Sequence, residues 1–188
     1  MIIRSARPAD AQAVLPLVKI VFDEMELASL QQISTADLFK LLTAAFTTTT
    51  YRYSYHHTLV AEEDGKVVGI AVSYPAEAEA HIDDALATLL PLVGLPANTR
   101  FFNDREAWPH EWYLDTLAVL PSYQNRGIGT RLLAAVNQLA NQHNYHLVSL
   151  NVDQQNPNAQ RLYERVGYHK VGELPIGTHY YNHMQHQL

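Results

Sequence analysis

The sequence predicts a single mixed α/β domain, and three observations carry that reading. Strand-like and helix-like runs follow one another in the order βααββ and then βαβαββ. The length, 188 residues, suits one domain able to bury a good core. Apolar residues make up 47% of the chain against 17% charged, which is globular rather than disordered composition. No repeat, low-complexity segment or linker interrupts it, so residues 1–188 are read as one domain.

The elements are justified in order. Ile2 to Ala6 reads as a strand. Pro8 to Leu27 reads as a helix, with Val14, Leu17, Val18, Val21 and Phe22 at helical spacing and Pro8 at the first helical position. Pro16 is expected to kink or split it. Thr35 to Phe46 places Leu38, Leu41, Leu42 and Ala45 on one helical face before four threonines end the pattern. Thr58–Glu62 and Val67–Val72 flank Asp64-Gly65, a hairpin turn signal. Asp83 to Val93 is expected to be a helix. Gly94 to Pro109 is a loop-rich insert carrying Phe101, Phe102 and Trp108. Then come a strand (Trp112–Leu120), a helix (Gly127–Gln142), a strand (Leu147–Val152) and a helix (Pro157–Val166) with Gly167 as its C-terminal cap. Tyr168–Val171 and His179–Met184 read as final strands.

Composition narrows the function classes. No run approaches the ~18 apolar residues of a membrane span. Met1-Ile2-Ile3-Arg4 leads into polar residues and Pro8, which lacks the apolar region of a signal peptide. The chain has no cysteine, which excludes disulfides, thiolate metal sites and a cysteine nucleophile. A cytoplasmic location is the resulting expectation. The net charge of −6 argues against a nucleic-acid partner, whose phosphates require clustered Lys and Arg. It fits a cationic acceptor weakly, and ordinary solubility explains it equally simply.

The most informative stretch runs from Leu117-Ala118-Val119 through Gln124-Asn125-Arg126-Gly127-Ile128-Gly129-Thr130 to Leu133. A strand ends, a polar loop follows, and two glycines open a helix whose buried face is Ile128, Leu132, Leu133, Val136 and Leu139. The first turn of a helix leaves backbone N–H groups unpaired, and with the helix dipole they attract an anion. Gly127 and Gly129 allow a phosphate to approach the backbone, and Arg126 and Arg131 are candidates to add charge. A dinucleotide fingerprint needs a third glycine, where Leu132 stands, and a Walker loop needs Gly-Lys-Ser/Thr, which is missing.

The pattern instead resembles the Gln/Arg-x-x-Gly-x-Gly/Ala signature of the GNAT superfamily of N-acetyltransferases. Leu117-Ala118-Val119-Leu120-Pro121-Ser122-Tyr123 is similar to that family's approach to the loop. A second stretch, Asn156-Pro157-Asn158-Ala159-Gln160-Arg161-Leu162-Tyr163-Glu164-Arg165-Val166-Gly167-Tyr168, resembles its Asn-x-x-Ala-x-x-Leu-Tyr-x-x-x-Gly-Phe/Tyr segment. Together the motifs span roughly Glu111 to Val171. The resemblance implies a mixed, mostly antiparallel sheet flanked by helices. It implies acetyl-CoA as co-substrate, with its pyrophosphate on Gln124 to Thr130. The pantetheine is expected along Leu117, Ala118 and Val119, between strands that splay around Leu117 and Val148. Asn156 is expected at the cofactor arm, although it also suits a helix N-cap. Tyr163 is expected as the acid for the departing thiolate, although its spacing with Ala159 and Val166 also suits a core aromatic.

An amine with a pKa near ~10.4 must lose a proton before it attacks a thioester. Asp115 is the first candidate base: its alternation with Leu117 and Val119 places it on their face, and its position resembles an acidic one some family members use. A hydrogen-bonded strand residue is an equal account of it. Glu111, at the strand's mouth, is second. The ten histidines include His179 and His183, but on a strand that spacing sets them too far apart to share a metal, and no metal is expected. Phe101, Phe102, Trp108, Trp112 and Tyr113 are either acceptor-pocket or core residues. The expected reaction is acetyl transfer to a primary amine by direct attack in a ternary complex. An acyltransferase with another acyl group or an alcohol acceptor, and a non-catalytic acyl-CoA-binding regulator, are the alternatives. The acceptor is a small molecule or peptide amine, and the family's frequent dimers make a homodimer an expectation.

Overall fold

A computed structural model of the chain describes all residues except 27, 28, 31 and 32. Seven strands form one sheet: β1 (Ile2–Ser5), β2 (Thr58–Glu63), β3 (Lys66–Pro75), β4 (Trp112–Val119), β5 (Leu147–Asp153), β6 (His169–Ile176) and β7 (His179–Gln187). Their spatial order is β1-β2-β3-β4-β5-β7-β6. Every neighbouring pair is antiparallel except β4–β5. The mixed, mostly antiparallel sheet implied by the resemblance is therefore present.

Four helices cover it: α1 (Ala11–Met25), α2 (Thr35–Phe46), α3 (Ile128–Gln142) and α4 (Pro157–Arg165). Strand alternation divides the core between the two faces. Val60, Ile70, Val72 and Ala118 pack with α1 and α2, whereas Ala61, Val68, Ala71 and Leu150 pack with α3. Among the described residues no helix is long and apolar enough to cross a membrane.

Several boundaries depart from the sequence expectation. Pro8–Asp10 forms a 3₁₀ turn before α1. The helix then runs unbroken through Pro16. Pro16 lies on the exposed face, where the carbonyl it leaves unpaired meets water. The expected end at Leu27 lies outside the described residues. Asp83–Val93 is not one α-helix but two 3₁₀ helices, Asp84–Thr88 and Leu90–Val93. Pro91 lacks the N–H that a continuous helix would use there. The strands β3, β6 and β7 extend beyond the predicted spans because their added residues find ladder partners.

Gly167 closes α4 as expected. Its N–H donates to the Glu164 carbonyl at 3.1 Å and the Tyr168 N–H to the Tyr163 carbonyl at 3.0 Å. This double closure requires a left-handed residue, and Gly167 has φ +97°. A Cβ there would also lie 2.9 Å from the His186 ring. Gly167→Ala is therefore expected to destabilise the fold by about 1–3 kcal/mol. The urea midpoint should fall with the slope unchanged. A variant with wild-type stability would show that the turn is not under this constraint.

Candidate active site

The site begins with a gap in the sheet. Only three rungs join β4 to β5: Trp112 opposite Val148, Tyr113 opposite Ser149 and Leu114 opposite Leu150. Beyond Leu114 the strands part, while β4 stays paired to β3 and β5 to β7. The splay thus opens beside Asn151–Asp153, and Val148, expected at its edge, remains fully paired. The Leu120 N–H donates to Val68 of β3, so by alternation Ala118 also addresses β3. The backbone groups of Leu117 and Val119 accordingly turn to the open side. There the Val119 carbonyl accepts a bond from the Gln124 side chain at 3.1 Å.

The parting coincides with a β-bulge. Val72 pairs with Thr116 and Ser73 with Leu114, so Asp115 is the extra residue. The bulge breaks the alternation that placed Asp115 on the face of Leu117 and Val119. Leu117 and Val119 pack toward α3. The Asp115 carboxylate instead accepts from Arg52 at 2.9 Å, Tyr74 at 2.6 Å and Thr116 at 2.9 Å.

The glycine loop ends at the open side. Asn125 and Gly127 take left-handed conformations, φ 60° and 77°, on either side of Arg126. The backbone N–H groups from Asn125 through Thr130 find no acceptor among the described residues. Successive free N–H groups of this kind at a helix N-terminus form an anion cradle. A Cβ on Gly127 would touch nothing within 4 Å, so its backbone angle, not space, demands glycine. Gly129 is different: a Cβ there would sit 3.3 Å from the Leu162 side chain, so this glycine sets how closely α3 approaches α4. The two arginines face elsewhere. Arg126 pairs with Glu63 at 3.0 Å, and Arg131 donates to the Met1 carbonyl.

Asn156 caps α4 by accepting from the Ala159 N–H at 3.1 Å. Its side chain also borders a cleft of about 410 Å³ that continues the gap. Tyr163 borders the same cleft, together with Asp115, Thr116 and Leu117. Its hydroxyl has no hydrogen-bond partner among the described residues. Burial, aided by the Glu24 charge, pushes the phenol up to about 12, so it stays protonated at neutral pH.

Beneath the cleft lies a buried charge cluster that the sequence reading missed. The Arg52 side chain is 2% exposed. Its guanidinium reaches Asp115 at 2.9 Å, Asp83 at 3.0 Å and Glu106 at 3.8 Å, and lies over the Phe102 ring. One cation cannot balance three buried carboxylates, and Glu106 has the weakest hold on it. Burial raises the Glu106 carboxyl, Arg52 offsets this only in part, and the Asp115 charge adds to the rise, which reaches about 7. The Tyr113 hydroxyl donates to Glu106 Oε2 at 2.7 Å, whereas Oε1 accepts no hydrogen bond among the described residues and lies 3.8 Å from Arg52; Glu106 lines the cleft. No local sequence signal marks Glu106, which sits in the irregular insert. Arg52, between Tyr51 and Tyr53, is visible only as a charge in aromatic surroundings.

Glu111 does not border this cleft. Burial pushes its carboxyl up, but the hydrogen bonds from His183, Ser149 and Gln185 together with the His183 charge outweigh it and hold the carboxyl below its usual range. It also accepts from the Trp108 N–H and the Gln185 side chain. His183 is buried, stacks on Trp108 with centroids 4.2 Å apart, and contacts Asn151 through its other nitrogen at 2.7 Å. His179 faces Asp153 at 2.7 Å. Among the described residues no group of three or more such side chains is placed to hold a metal ion. Of the five aromatics considered for the acceptor pocket, Tyr113 borders the cleft. Phe101 and Trp112 are buried in the two main cores, Phe102 stacks on Arg52, and Trp108 covers Gly172.

The fold agrees with those of known proteins. A crystal structure of an acetyltransferase matches with a TM-score of 0.90 and 41% identity, over 100% of this chain and 99% of that one. An N-acetyltransferase from Staphylococcus aureus Mu50 matches with a TM-score of 0.85 and 32% identity, over 98% and 100%. PaiA N-acetyltransferase from Thermoplasma acidophilum, solved in complex with coenzyme A, shares the fold at a TM-score of 0.57 and 13% identity, over 100% and 98%. No curated protein matches the chain. Residues 27–168 match the model of the acetyltransferase (GNAT) family, and the chain belongs to that family of acetyltransferases.

Proposed function

We propose that the enzyme moves the acetyl group of acetyl-CoA to a primary amine by direct attack in a ternary complex. The observation that carries this reading is the continuity of one cleft. It joins the open backbone edge of β4 at Leu117 to the unpartnered Tyr163 hydroxyl and to Glu106, and the free N–H groups of Asn125 to Thr130 belong to the loop that leads from the end of that strand into α3. The diphosphate of acetyl-CoA fits those N–H groups. The amide groups of its pantetheine fit the backbone of Leu117 and Val119, and Asn156 stands beside that arm.

The chemistry follows from the two titratable groups. A protonated amine passes a proton to Glu106, directly or through one water, and Tyr113 holds that carboxylate in place. The freed lone pair forms the N–C bond at the thioester carbonyl. The C–S bond then breaks, its electron pair leaves with sulfur, and the Tyr163 hydroxyl donates a proton to the thiolate. The second proton of the attacking nitrogen passes through water to the Tyr163 phenolate, which leaves the neutral amide and the CoA thiol while Glu106 releases its proton to solvent. The hydrogen bonds around Asp115 support a positioning role. It holds Arg52, and through the shared charge it keeps Glu106 basic enough to act near neutral pH.

Acetyl-CoA should bind as a 1:1 ligand and raise the thermal midpoint by roughly 5–10 °C at about a hundred times its dissociation constant. Gly127→Glu should abolish that shift. Gly127→Ala, which carries the same backbone strain without bulk or charge, should retain most of it. Equal behaviour of the two variants would show that the loop is structural.

Tyr163→Phe should lower kcat by roughly 10²–10⁴ and leave the acetyl-CoA dissociation constant within a few-fold. Stopped-flow measurement of the chemical step checks this, and a full wild-type rate would make Tyr163 a packing residue. The pH profile of kcat/KM should carry an acidic limb near neutrality, because Glu106 must lose its proton to act as base. Glu106→Gln should remove that limb and slow the reaction. A limb that persists in the variant would assign it to another group.

A further inference from the structure

The cleft is charged in one sense. Carboxylates reach it from separate elements: Glu24 and Glu26 at the end of α1, Glu106 from the insert, Asp115 at the β4 bulge and Asp153 at the end of β5. Among the described residues no lysine or arginine borders it, and His179 is the one basic side chain that does. Arg52 satisfies Asp115 from below, and His179 lies between Asp153 at 2.7 Å and Glu26 at 3.8 Å. Glu24 has no hydrogen-bond partner among the described residues. Burial pushes its carboxyl up, and the Asp153 charge adds to the rise.

A second observation points to a ligand. Glu106 lines the cleft with its side chain 6% exposed, and its Oε1 has no hydrogen bond among the described residues beside the 3.8 Å ion pair to Arg52, which leaves an acceptor for an incoming donor. Val21, Met25, Ile176 and Tyr181 add apolar surface to the same wall. Several carboxylates and apolar surface in one cleft match an alkyl chain that carries more than one nitrogen.

We infer that the acceptor is a linear oligoamine, which presents one amine to Glu106 and Tyr163 and seats a second, protonated nitrogen among Glu24, Glu26 and Asp153. The inference rests on the acetyl-transfer reading and specifies its acceptor. Amino acids and peptides would bring a carboxylate or a carbonyl to the outer site in place of a cation, so that site selects against them.

The test uses the full chain with acetyl-CoA and three acceptors of one chain length: α,ω-diaminobutane, butylamine and γ-aminobutyrate. CoA release should give a kcat/KM at least about tenfold higher for the diamine than for butylamine, and lower still for γ-aminobutyrate. The preference should shrink as salt rises, because the outer site is partly open to solvent. Glu24→Gln and Asp153→Asn should each narrow the ratio of diamine to monoamine. Should a variant fail to fold, the salt dependence of the wild-type ratio stands as the deciding measurement. Equal rates for the three acceptors, or a preference indifferent to salt and to both substitutions, would overturn the inference while leaving acetyl transfer intact. If acetyl-CoA does not bind, or no amine releases CoA, the acetyl-transfer reading fails and takes this inference with it.

Discussion

The structure turns on three rungs of hydrogen bonding between β4 and β5. Each strand has a long antiparallel partner on its other side, so the sheet survives their early separation. The separation leaves the inner edge of β4 without a ladder partner, and an unpaired strand edge is a template for any chain that carries amide groups. In the proposed function, a co-substrate with amides in its arm would complete that edge as a strand would. The bulge at Asp115 adds local twist where the strands part, and it turns the carboxylate down into the charge cluster.

That cluster is the second constraint. Arg52 links Asp83 in the insert to Asp115 on β4, and so fastens the irregular segment between β3 and β4 to the base of the cleft. Breaking such a buried network by removing one partner leaves charges uncompensated, which costs several kcal/mol. The same shortage of positive charge sets the protonation of Glu106. The cluster therefore serves stability and chemistry at once. The outer carboxylates extend the negative field to the mouth, where it draws cations inward.

Much of this was legible in the sequence because local rules governed it. The loop from Gln124 to Gly129 announces an anion site through its glycines and the helix they open, and the structure leaves its N–H groups free. Gly167, Asn156 and the face of α2 follow from capping and periodicity. What was not legible depended on long-range geometry. Strand alternation placed Asp115 beside Leu117, but a one-residue bulge reversed it, and nothing local announces a bulge. Glu111 looked available at the mouth of β4, yet His183, 72 residues away in sequence, holds it. The contacts of Arg126 with Glu63 and of Arg131 with the Met1 carbonyl join distant parts of the chain, and no local pattern announces them. Glu106 gains its character from burial beside Arg52 and Asp115, which no motif records.

The central claim is that the free N–H groups of Asn125 to Thr130 and the open edge at Leu117 and Val119 hold the co-substrate. Amide hydrogen exchange with and without acetyl-CoA tests it most directly, because exchange reads those backbone groups one by one. The account predicts that acetyl-CoA slows exchange at Asn125 to Thr130 and at Leu117 and Val119, while Ala118, already paired to β3, changes little. Protection confined to other segments, or unchanged exchange at saturating acetyl-CoA, would contradict it.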